Sequence, residues 1–411
     1  MADVLIVHQN FPGQFAKVAR ALRLRGDRVV ALGGPTAVKF GDIPLVRWST
    51  ARGSTAGIFS PATRAEADFI RGDAAARVAS ALAAKGFSPD LIIAHPGWGE
   101  ALFLKEIWPR ARNLLFGELI YKTEGGDVGF DPEFDIPDLS ERIRVHAKNA
   151  SQLLAYAFAD RIICPTQFQA SSFPTPLQHL IDVIHEGIDT HVVAPRKEAS
   201  ISIDGTTFIV GDPVVTFVSR SFEPQRGFHI FMRALPAVLA ACPKAHVLII
   251  GDPDRRGYGP SAPAGKSWKN VLFEELGDRL DCSRIHFTGR IPHPNLVDAL
   301  SVSSAHVYYT YPFVLSWSLL EAMACECLVI ASDTAPVQDA IRDGADGILL
   351  PFFDVEALSR RLIEVLEDPQ QFASIRQQAR QRIVTDFSSI TGVTRWLSVV
   401  DQLIGSTQIV S

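Results

Sequence analysis

The sequence predicts an α/β protein made of two facing Rossmann-like domains with a central cleft. Short apolar runs alternate with helical patterns along nearly the whole chain, which is typical of parallel strands joined by helices. The series occurs twice, and 411 residues, 47% of them hydrophobic, suffice for two such domains. Because ligands of this fold bind outside the carboxyl ends of the strands, we look for candidate site residues there.

The first half contains six apolar runs with helical patterns between them. The predicted strands are Val4–Val7, Val29–Leu32, Leu91–Ala94, Asn113–Phe116, Arg161–Cys164 and Asp182–His185, and the predicted helices are Gln14–Arg25, Ala62–Lys85 and Pro137–Ala159. The turn after the first strand lacks the Gly-x-Gly-x-x-Gly pattern of nicotinamide-binding enzymes. Its Gly13 would let backbone amides approach an anion at the helix start, although such a turn is common in any βα unit.

The second half repeats this alternation. The predicted strands are Val214–Val218, His246–Ile250, Arg284–Phe287, His306–Tyr308, Leu328–Ala331 and Gly347–Leu350, and the predicted helices are Gly227–Ala241, Asn295–Ser301, Ser318–Ala324, Val337–Arg342 and Asp354–Glu367. Two long segments, Arg110–Asp135 and Asp252–Lys269, are rich in Gly and Pro and have poor periodicity. Long loops of this kind tend to be functional or disordered.

The predicted boundary lies near Asp189–Asp212, where polar residues accumulate. We therefore expect an N-terminal domain over residues 1–194, a C-terminal domain over 195–387 and a terminal helix in 388–411. The helical pattern Ser389–Leu403 has no strand after it. It predicts either a helix that crosses back to the first domain or a simple C-terminal cap.

Composition excludes several classes of protein. Forty basic and forty-five acidic residues give a net charge of −5, which argues against a nucleic-acid-binding surface. Five cysteines in so long a chain predict reduced thiols rather than a disulfide framework. No apolar run approaches the ~20 residues that span a bilayer, and no leader pattern opens the chain. We expect a cytoplasmic protein and leave peripheral membrane contact open.

Two arginines lie where a diphosphate would bind in the second half. Arg220 ends a predicted strand, and Arg226 precedes a predicted helix. Guanidinium groups and a helix N-terminus both favour an anion there. On spacing alone, a pair of solvated surface arginines explains the pattern better.

Further along, Ser318 and Glu321 have the spacing of a capping box in front of an apolar helix. In that reading, Glu321 only accepts backbone hydrogen bonds. Alternatively, the helix start faces the ligand and Glu321 binds a ribose or sugar hydroxyl, and both can hold together.

These segments resemble the retaining glycosyltransferases of family 4, group 1, which have the GT-B fold. In the second half the resemblance lies in Phe217–Phe228, Phe287–Ile291, Tyr308–Ser332 and Asp343–Leu350. In the first half, Ala94–Glu100, Gly126–Phe134 and His185–Asp189 are similar to one bacterial branch of that family. The resemblance implies that Arg220 and Arg226 grip the donor pyrophosphate, with Arg226 in place of the usual Lys. It also implies that Glu321 binds the ribose.

The chain departs from the family pattern in the loop before Glu321. The resemblance puts Phe313 where an acid normally lies near the donor sugar, followed by Val314. The backbone amides of Leu315 and Ser316 would meet the diphosphate. Glu326 replaces a turn glycine, which implies strain if that position has a positive φ.

The resemblance also implies roles for residues elsewhere. Arg290, after Gly289, would contact the base through its backbone, and the first domain would supply an ionisable group beside the donor sugar. The candidates for that catalytic group are Glu118 and His95, either of which could instead be only structural.

The function implied is transfer of a sugar, with retention, from a nucleoside-diphosphate sugar to an unidentified acceptor such as a glycan, a lipid-linked molecule or a small molecule. Arginine side chains that oppose the diphosphate can do the work often given to Mg²⁺, so we expect no metal and no other cofactor. Two alternatives remain open. One is a GT-B sugar-nucleotide epimerase, and the other is an inactive nucleotide-sugar-binding subunit, which Phe313 and Glu326 make credible.

Overall fold

A computed structural model describes residues 1–255 and 257–405, which form two compact units. Unit 1 comprises Met1–Glu124, Pro137–Gly187 and residues 389–405, and unit 2 comprises Gly125–Ile136 and Ile188–Ser388. The boundary between the halves therefore falls at residues 187 and 188 rather than at 194 and 195, and residues 125–136 group with unit 2. No described helix is both long and apolar enough to cross a bilayer.

Each predicted strand overlaps an observed one, but the strands at residues 45–47, 200–203 and 206–209 and the helices at 268–276 and 373–386 were not predicted. The strands are β1 Asp3–Val7, β2 Arg28–Gly33, β3 Leu45–Arg47, β4 Leu91–Ala94, β5 Arg112–Phe116, β6 Arg161–Cys164, β7 Ile181–Val183, β8 Ser200–Ile203, β9 Thr206–Ile209, β10 Val214–Ser221, β11 His246–Asp252, β12 Ile285–Gly289, β13 Ala305–Tyr308, β14 Leu328–Ser332 and β15 Ile348–Leu350. The α-helices are α1 Ala16–Arg25, α2 Thr63–Ala84, α3 Leu104–Ile107, α4 Leu139–Tyr156, α5 Gln167–Ser171, α6 Phe228–Ala241, α7 Trp268–Leu276, α8 His293–Val302, α9 Trp317–Ala324, α10 Ala335–Gln338, α11 Val355–Glu367, α12 Ala373–Asp386 and α13 Ser389–Gly405.

Unit 1 is built on a seven-stranded parallel sheet with the order β3-β2-β1-β4-β5-β6-β7. The central strands are almost wholly buried because helices cover both faces. Helix α13 packs on this unit. Its buried Trp396 lies 6.1 Å from the ring of Phe15 and stacks on Phe116 at 6.5 Å, centroid to centroid.

Unit 2 is built on a six-stranded parallel sheet with the order β12-β11-β10-β13-β14-β15. The predicted α/β class with two Rossmann-like sheets is confirmed. The linker, however, contains an antiparallel hairpin of β8 and β9. Its turn is Asp204-Gly205, both with positive φ (51° and 80°), which is the signature of a two-residue hairpin turn.

Residues 125–136 belong to unit 2 because their aromatic side chains complete its core. Phe130 stacks on Phe353 with 5.4 Å between ring centroids, and Phe134 meets Trp268 edge to face at 4.9 Å. The buried carboxylate of Asp131 accepts a 2.7 Å hydrogen bond from the Tyr311 hydroxyl. A division by sequence position could not reveal this, since the segment lies between two stretches of unit 1.

Candidate functional site

The candidate donor site of unit 2 lies at the carboxyl ends of three adjacent parallel strands. Arg220 is the penultimate residue of β10, a loop of residues 253–267 follows β11, and Arg290 follows β12. Gly227, with φ of 67°, starts helix α6 beside this edge. A Cβ there would lie 2.1 Å from the Cβ of Tyr309, so only glycine lets the helix approach so closely.

Arg220 is exposed and has no hydrogen-bond or ion-pair partner in the described part of the chain. Its guanidinium carbon lies 4.7 Å from the ring centroid of Tyr258, in the loop after β11. The N–H groups of Arg220 are therefore available to an anion. Sequence reasoning singled out Arg220 but missed this aromatic contact.

Arg226 is half-buried and held in place. Its Nη1 donates to the hydroxyl of Thr310 and to the carbonyl of Val314, both at 3.1 Å. Its guanidinium carbon also lies 5.3 Å from the ring centroid of Phe313, which is 4% exposed. Arg226 thus organises the loop before α9 and is not a freely solvated surface arginine.

The predicted capping box is wrong. Ser316, not Ser318, is the N-cap of α9, and its hydroxyl accepts from the Ser318 amide at 3.4 Å. The Ser316 amide itself donates to the hydroxyl of Tyr308 at 2.8 Å, so it is already used. Glu321 does not turn back to the helix start. Its carboxylate is paired with Nε2 of His293 at 2.8 Å, and its side chain is 12% exposed.

Glu326 follows the end of α9 with a φ of 56°, in the left-handed region that favours glycine. Its amide donates to the carbonyl of Met323, and that of Cys327 donates to the carbonyl of Ala322, both at 3.1 Å. These bonds end the helix as a glycine would. The left-handed conformation costs a non-glycine residue about 1–2 kcal/mol.

A third arginine lies at the same sheet edge. Arg255, in the loop after β11, was not singled out from the sequence. Partial burial, and then the positive charges of Arg220 and Arg290, lower the pKa of Arg255 from its ordinary value. Three cationic groups that repel one another at one edge favour a ligand that carries negative charge.

Unit 1 brings two histidines together at the ends of neighbouring strands. His8 follows β1 and His95 follows β4, and their ring centroids are 5.4 Å apart. Burial, and then the nearby His95, lower the pKa of His8 to about 4, so His8 is neutral at pH 7. Packing explains why position 13 is a glycine: its φ is 48°, and a Cβ there would lie 2.4 Å from the ring of His8.

The two predicted catalytic candidates also lie near one another. Nε2 of His95 is 3.6 Å from a carboxylate oxygen of Glu118, which follows β5. Nδ1 of His95 accepts from the Gly97 amide at 3.1 Å, so in neutral His95 the proton is on Nε2, toward Glu118. Burial of Glu118 acts to raise the pKa of its carboxyl group, but the opposing effects, chiefly that of the His95 side chain, outweigh it, so the pKa is lowered.

Sequence reasoning gave Glu100 no role of its own. This side chain is fully buried, and both of its carboxylate oxygens lack a hydrogen-bond partner among the described residues. Burial raises the pKa of Glu100 to about 7. A carboxyl-bearing residue soon after a strand end was the available signal, but its burial could not be read from the chain.

One group of side chains could in principle hold a metal ion. Single ligand atoms of Asp131, Glu133 and His229 all lie within 4.8 Å of one another. Asp131, however, accepts from Tyr311, and both Glu133 oxygens accept from Arg233, at 2.7 and 2.6 Å. These bonds anchor residues 125–136, and the carboxylates are committed to them.

Two family descriptions match successive parts of the chain. Residues 25–193 match the glycosyl transferase family 4 group, and residues 212–368 match glycosyl transferases group 1. The chain belongs to the group 1 glycosyltransferases of family 4. The resemblance drawn from the sequence is thereby confirmed.

Curated relatives of this family 4 chain include two mycobacterial enzymes. It is 30% identical over 173 residues to phosphatidyl-myo-inositol mannosyltransferase of Mycolicibacterium smegmatis, which covers 41% of the chain and 40% of the relative. It is 27% identical over 254 residues to D-inositol 3-phosphate glycosyltransferase of Mycobacterium avium, covering 60% and 54%. The chain spans about half the length of the curated relatives it matches.

Solved structures confirm the GT-B fold of this family 4 chain. Sucrose-phosphate synthase of Thermosynechococcus elongatus has a TM-score of 0.73 at 17% identity, with 99% of this chain and 100% of that one covered. HepE of Anabaena in complex with UDP-glucose has a TM-score of 0.67 at 18% identity, with 98% and 100% covered.

Proposed function

We propose that this chain transfers a sugar from a nucleoside-diphosphate sugar to an acceptor, with retention at the anomeric carbon and without a metal ion. The observation that carries the proposal is Arg220 at the end of β10, whose guanidinium has no hydrogen-bond or ion-pair partner among the described residues, with Arg226 just before α6. Family membership supports it. Relatives named as glycosyltransferases and a fold neighbour solved with UDP-glucose are consistent with it.

In this proposal, unit 2 binds the leaving nucleoside diphosphate. Negative charge grows on the diphosphate as the bond to the sugar breaks, and preorganised cations stabilise that charge most in the transition state. Arg226 is fixed by Thr310 and Val314, so it needs no reorganisation at that moment. Glu321 accepts hydrogen bonds from the ribose, with His293 holding its carboxylate.

The cations that oppose the diphosphate are protein side chains, which is why the proposed reaction needs no divalent ion. Arg290 contacts the base through its backbone. The Glu118–His95 pair of unit 1 is the proposed ionisable group beside the donor sugar. Burial alone would raise the pKa of Glu118, but the opposing effects, chiefly that of His95, outweigh it, so the net pKa is lowered and the carboxyl group is ionised.

A second candidate is an inactive nucleotide-sugar-binding subunit. The observation that favours it is the buried Phe313, which replaces an acidic side chain and offers no charge to a donor sugar. This candidate keeps donor binding and lacks sugar transfer or donor hydrolysis.

The test is incubation of the full chain with UDP-, GDP- and ADP-sugars and a panel of acceptors, followed by mass spectrometry. We expect release of one nucleoside diphosphate and a glycoside whose anomeric configuration, by NMR, matches the donor. An isomerised nucleotide sugar would indicate an epimerase. Binding with no turnover above background would favour the inactive subunit.

A further inference from the structure

Tyr258 links the two arginines of the candidate diphosphate site through a row of aromatic contacts. Its ring centroid is 4.7 Å from the guanidinium carbon of Arg220 and 5.7 Å from the ring centroid of Phe313. Phe313 in turn lies 5.3 Å from the guanidinium carbon of Arg226. The row therefore runs Arg226, Phe313, Tyr258, Arg220, and both arginines are in cation–π contact.

A buried carboxylate fixes the loop that carries Tyr258. Glu223 accepts from the Ser221 hydroxyl at 3.0 Å and from the Gly259 amide at 2.7 Å. A Cβ at Gly257 would lie 1.9 Å from a Glu223 oxygen. The glycines on either side of Tyr258 thus let the loop backbone sit against Glu223, which determines where the ring lies.

The contact leaves the hydrogen-bonding edge of Arg220 available. A ring beside a guanidinium attracts its positive charge, whereas the five N–H groups lie in the guanidinium plane. Arg220 has no hydrogen-bond or ion-pair partner within the described residues, so its fork can meet a phosphate in bidentate fashion.

Without the ring, little would hold Arg220 in this orientation. Partial burial lowers the pKa of Arg255, and the positive charges of Arg220 and Arg290 lower it further. The three guanidinium groups are therefore close enough to repel one another. Repulsion of this kind favours rotamers that turn Arg220 away from the shared edge. A mobile arginine must also lose side-chain entropy when a ligand binds.

We propose that Tyr258 is a positioning residue of the diphosphate site, whose ring holds Arg220 with its N–H edge toward the ligand. The inference rests on the proposed function and deepens it, because it adds a residue of the loop after β11 to the donor site. Tyr258 is 61% exposed, so its substitution removes little buried surface. Its effect is on binding of the phosphates, not on the fold.

The experiment measures binding by calorimetry with the full chain. The probes are whichever of UDP, GDP and ADP binds the parent most tightly, and the corresponding nucleoside without phosphates. The variants are Tyr258→Phe, which keeps the ring, and Tyr258→Leu, which keeps apolar bulk without a ring. The double variant with Arg220→Ala completes a cycle that isolates the coupling between the two side chains.

We expect Tyr258→Phe to bind the diphosphate as the parent does, and Tyr258→Leu to bind it about two- to fivefold more weakly, as befits an exposed cation–π contact. Nucleoside affinity and melting temperature should stay unchanged in both. In the Arg220→Ala background, Tyr258→Leu should have no further effect.

Two results would overturn this assignment alone: diphosphate binding by Tyr258→Leu equal to that of the parent, or an equal loss for the nucleoside. Failure of the parent to bind any of the three diphosphates would overturn the proposed function, and this assignment with it.

Discussion

Glu100 makes the stability of unit 1 depend on pH. Burial raises the pKa of this carboxyl from 4.5 to about 7, so the unfolded chain ionises Glu100 at a lower pH than the folded one does. The contribution of neutral Glu100 to stability is therefore present in full below about pH 4.5 and is lost as pH rises through about 7. Each pKa unit corresponds to about 1.4 kcal/mol.

Glu100→Gln should consequently raise the melting temperature at about pH 8. It should have much less effect at about pH 3.5, well below the pKa of 4.5 in the unfolded chain, where both states of the parent carry a largely neutral carboxyl group. The exposed Glu124→Gln is the matched control. The same shift at both pH values would show that the substitution acts on packing and not on ionisation.

The backbone conformation of Glu326 leads to a second prediction about a single residue, this one on stability. The φ of 56° at Glu326 disfavours any side chain, so Glu326→Gly should relieve strain in the folded chain. Glycine also gives the unfolded chain more conformational entropy, which offsets part of this gain, and we expect a net stabilisation of roughly 0.5–1 kcal/mol. Chemical unfolding measures this, with the exposed Glu356→Gly, inside α11, expected to destabilise. A loss of stability in Glu326→Gly would contradict the account.

At the scale of elements, Asp131 anchors residues 125–136 to unit 2. Asp131→Ala removes the acceptor of the Tyr311 hydroxyl and of the Glu133 amide, and a buried donor left without a partner costs about 1–3 kcal/mol. We expect a lower midpoint of thermal unfolding, measured by calorimetry. Tyr311→Phe, which removes one bond and leaves the carboxylate in place, should cost less.

The elements that sequence could predict are those with a strong apolar pattern. Most strands of the two sheets are buried runs, so they stand out, whereas the short edge strand β3 is only partly buried and was not predicted. Helix α12 does not, because Ala379 and Ile383 are its only described buried residues and polar side chains surround them. The β8–β9 hairpin was missed in the linker, although Asp204-Gly205 between short apolar runs is a recognisable turn signal.

Part of the candidate site was predictable from its place near a strand end and a helix start. Arg220 and Arg226 stand out for that reason, whereas Arg290 and the ribose role of Glu321 came from the family resemblance. The partner of Glu321, His293, lies 28 residues away in sequence, and Tyr258 lies on a loop without periodicity. Such contacts depend on tertiary structure, which no local pattern specifies.

At the scale of the whole molecule, the absence of a metal requirement is a prediction. Because arginine side chains oppose the diphosphate charge, turnover should survive EDTA with less than about a twofold change, a barrier difference below about 0.5 kcal/mol. The measurement is product formation before and after chelation, with Mg²⁺ and Mn²⁺ added back. Loss of activity in EDTA that either ion restores would contradict metal-independent transfer.

The central claim is that unit 2 binds a nucleoside diphosphate through Arg220, and calorimetric titration of the full-length Arg220→Ala variant tests it most directly. A charge-assisted hydrogen bond contributes about 1.5–3 kcal/mol, so affinity for the diphosphate should fall roughly ten- to a hundredfold. The melting temperature should stay unchanged, because the side chain is exposed. The exposed Arg360→Ala, on α11, should bind as the parent does. If Arg220→Ala also binds as tightly as the parent, Arg220 is a solvated surface residue and the donor site lies elsewhere.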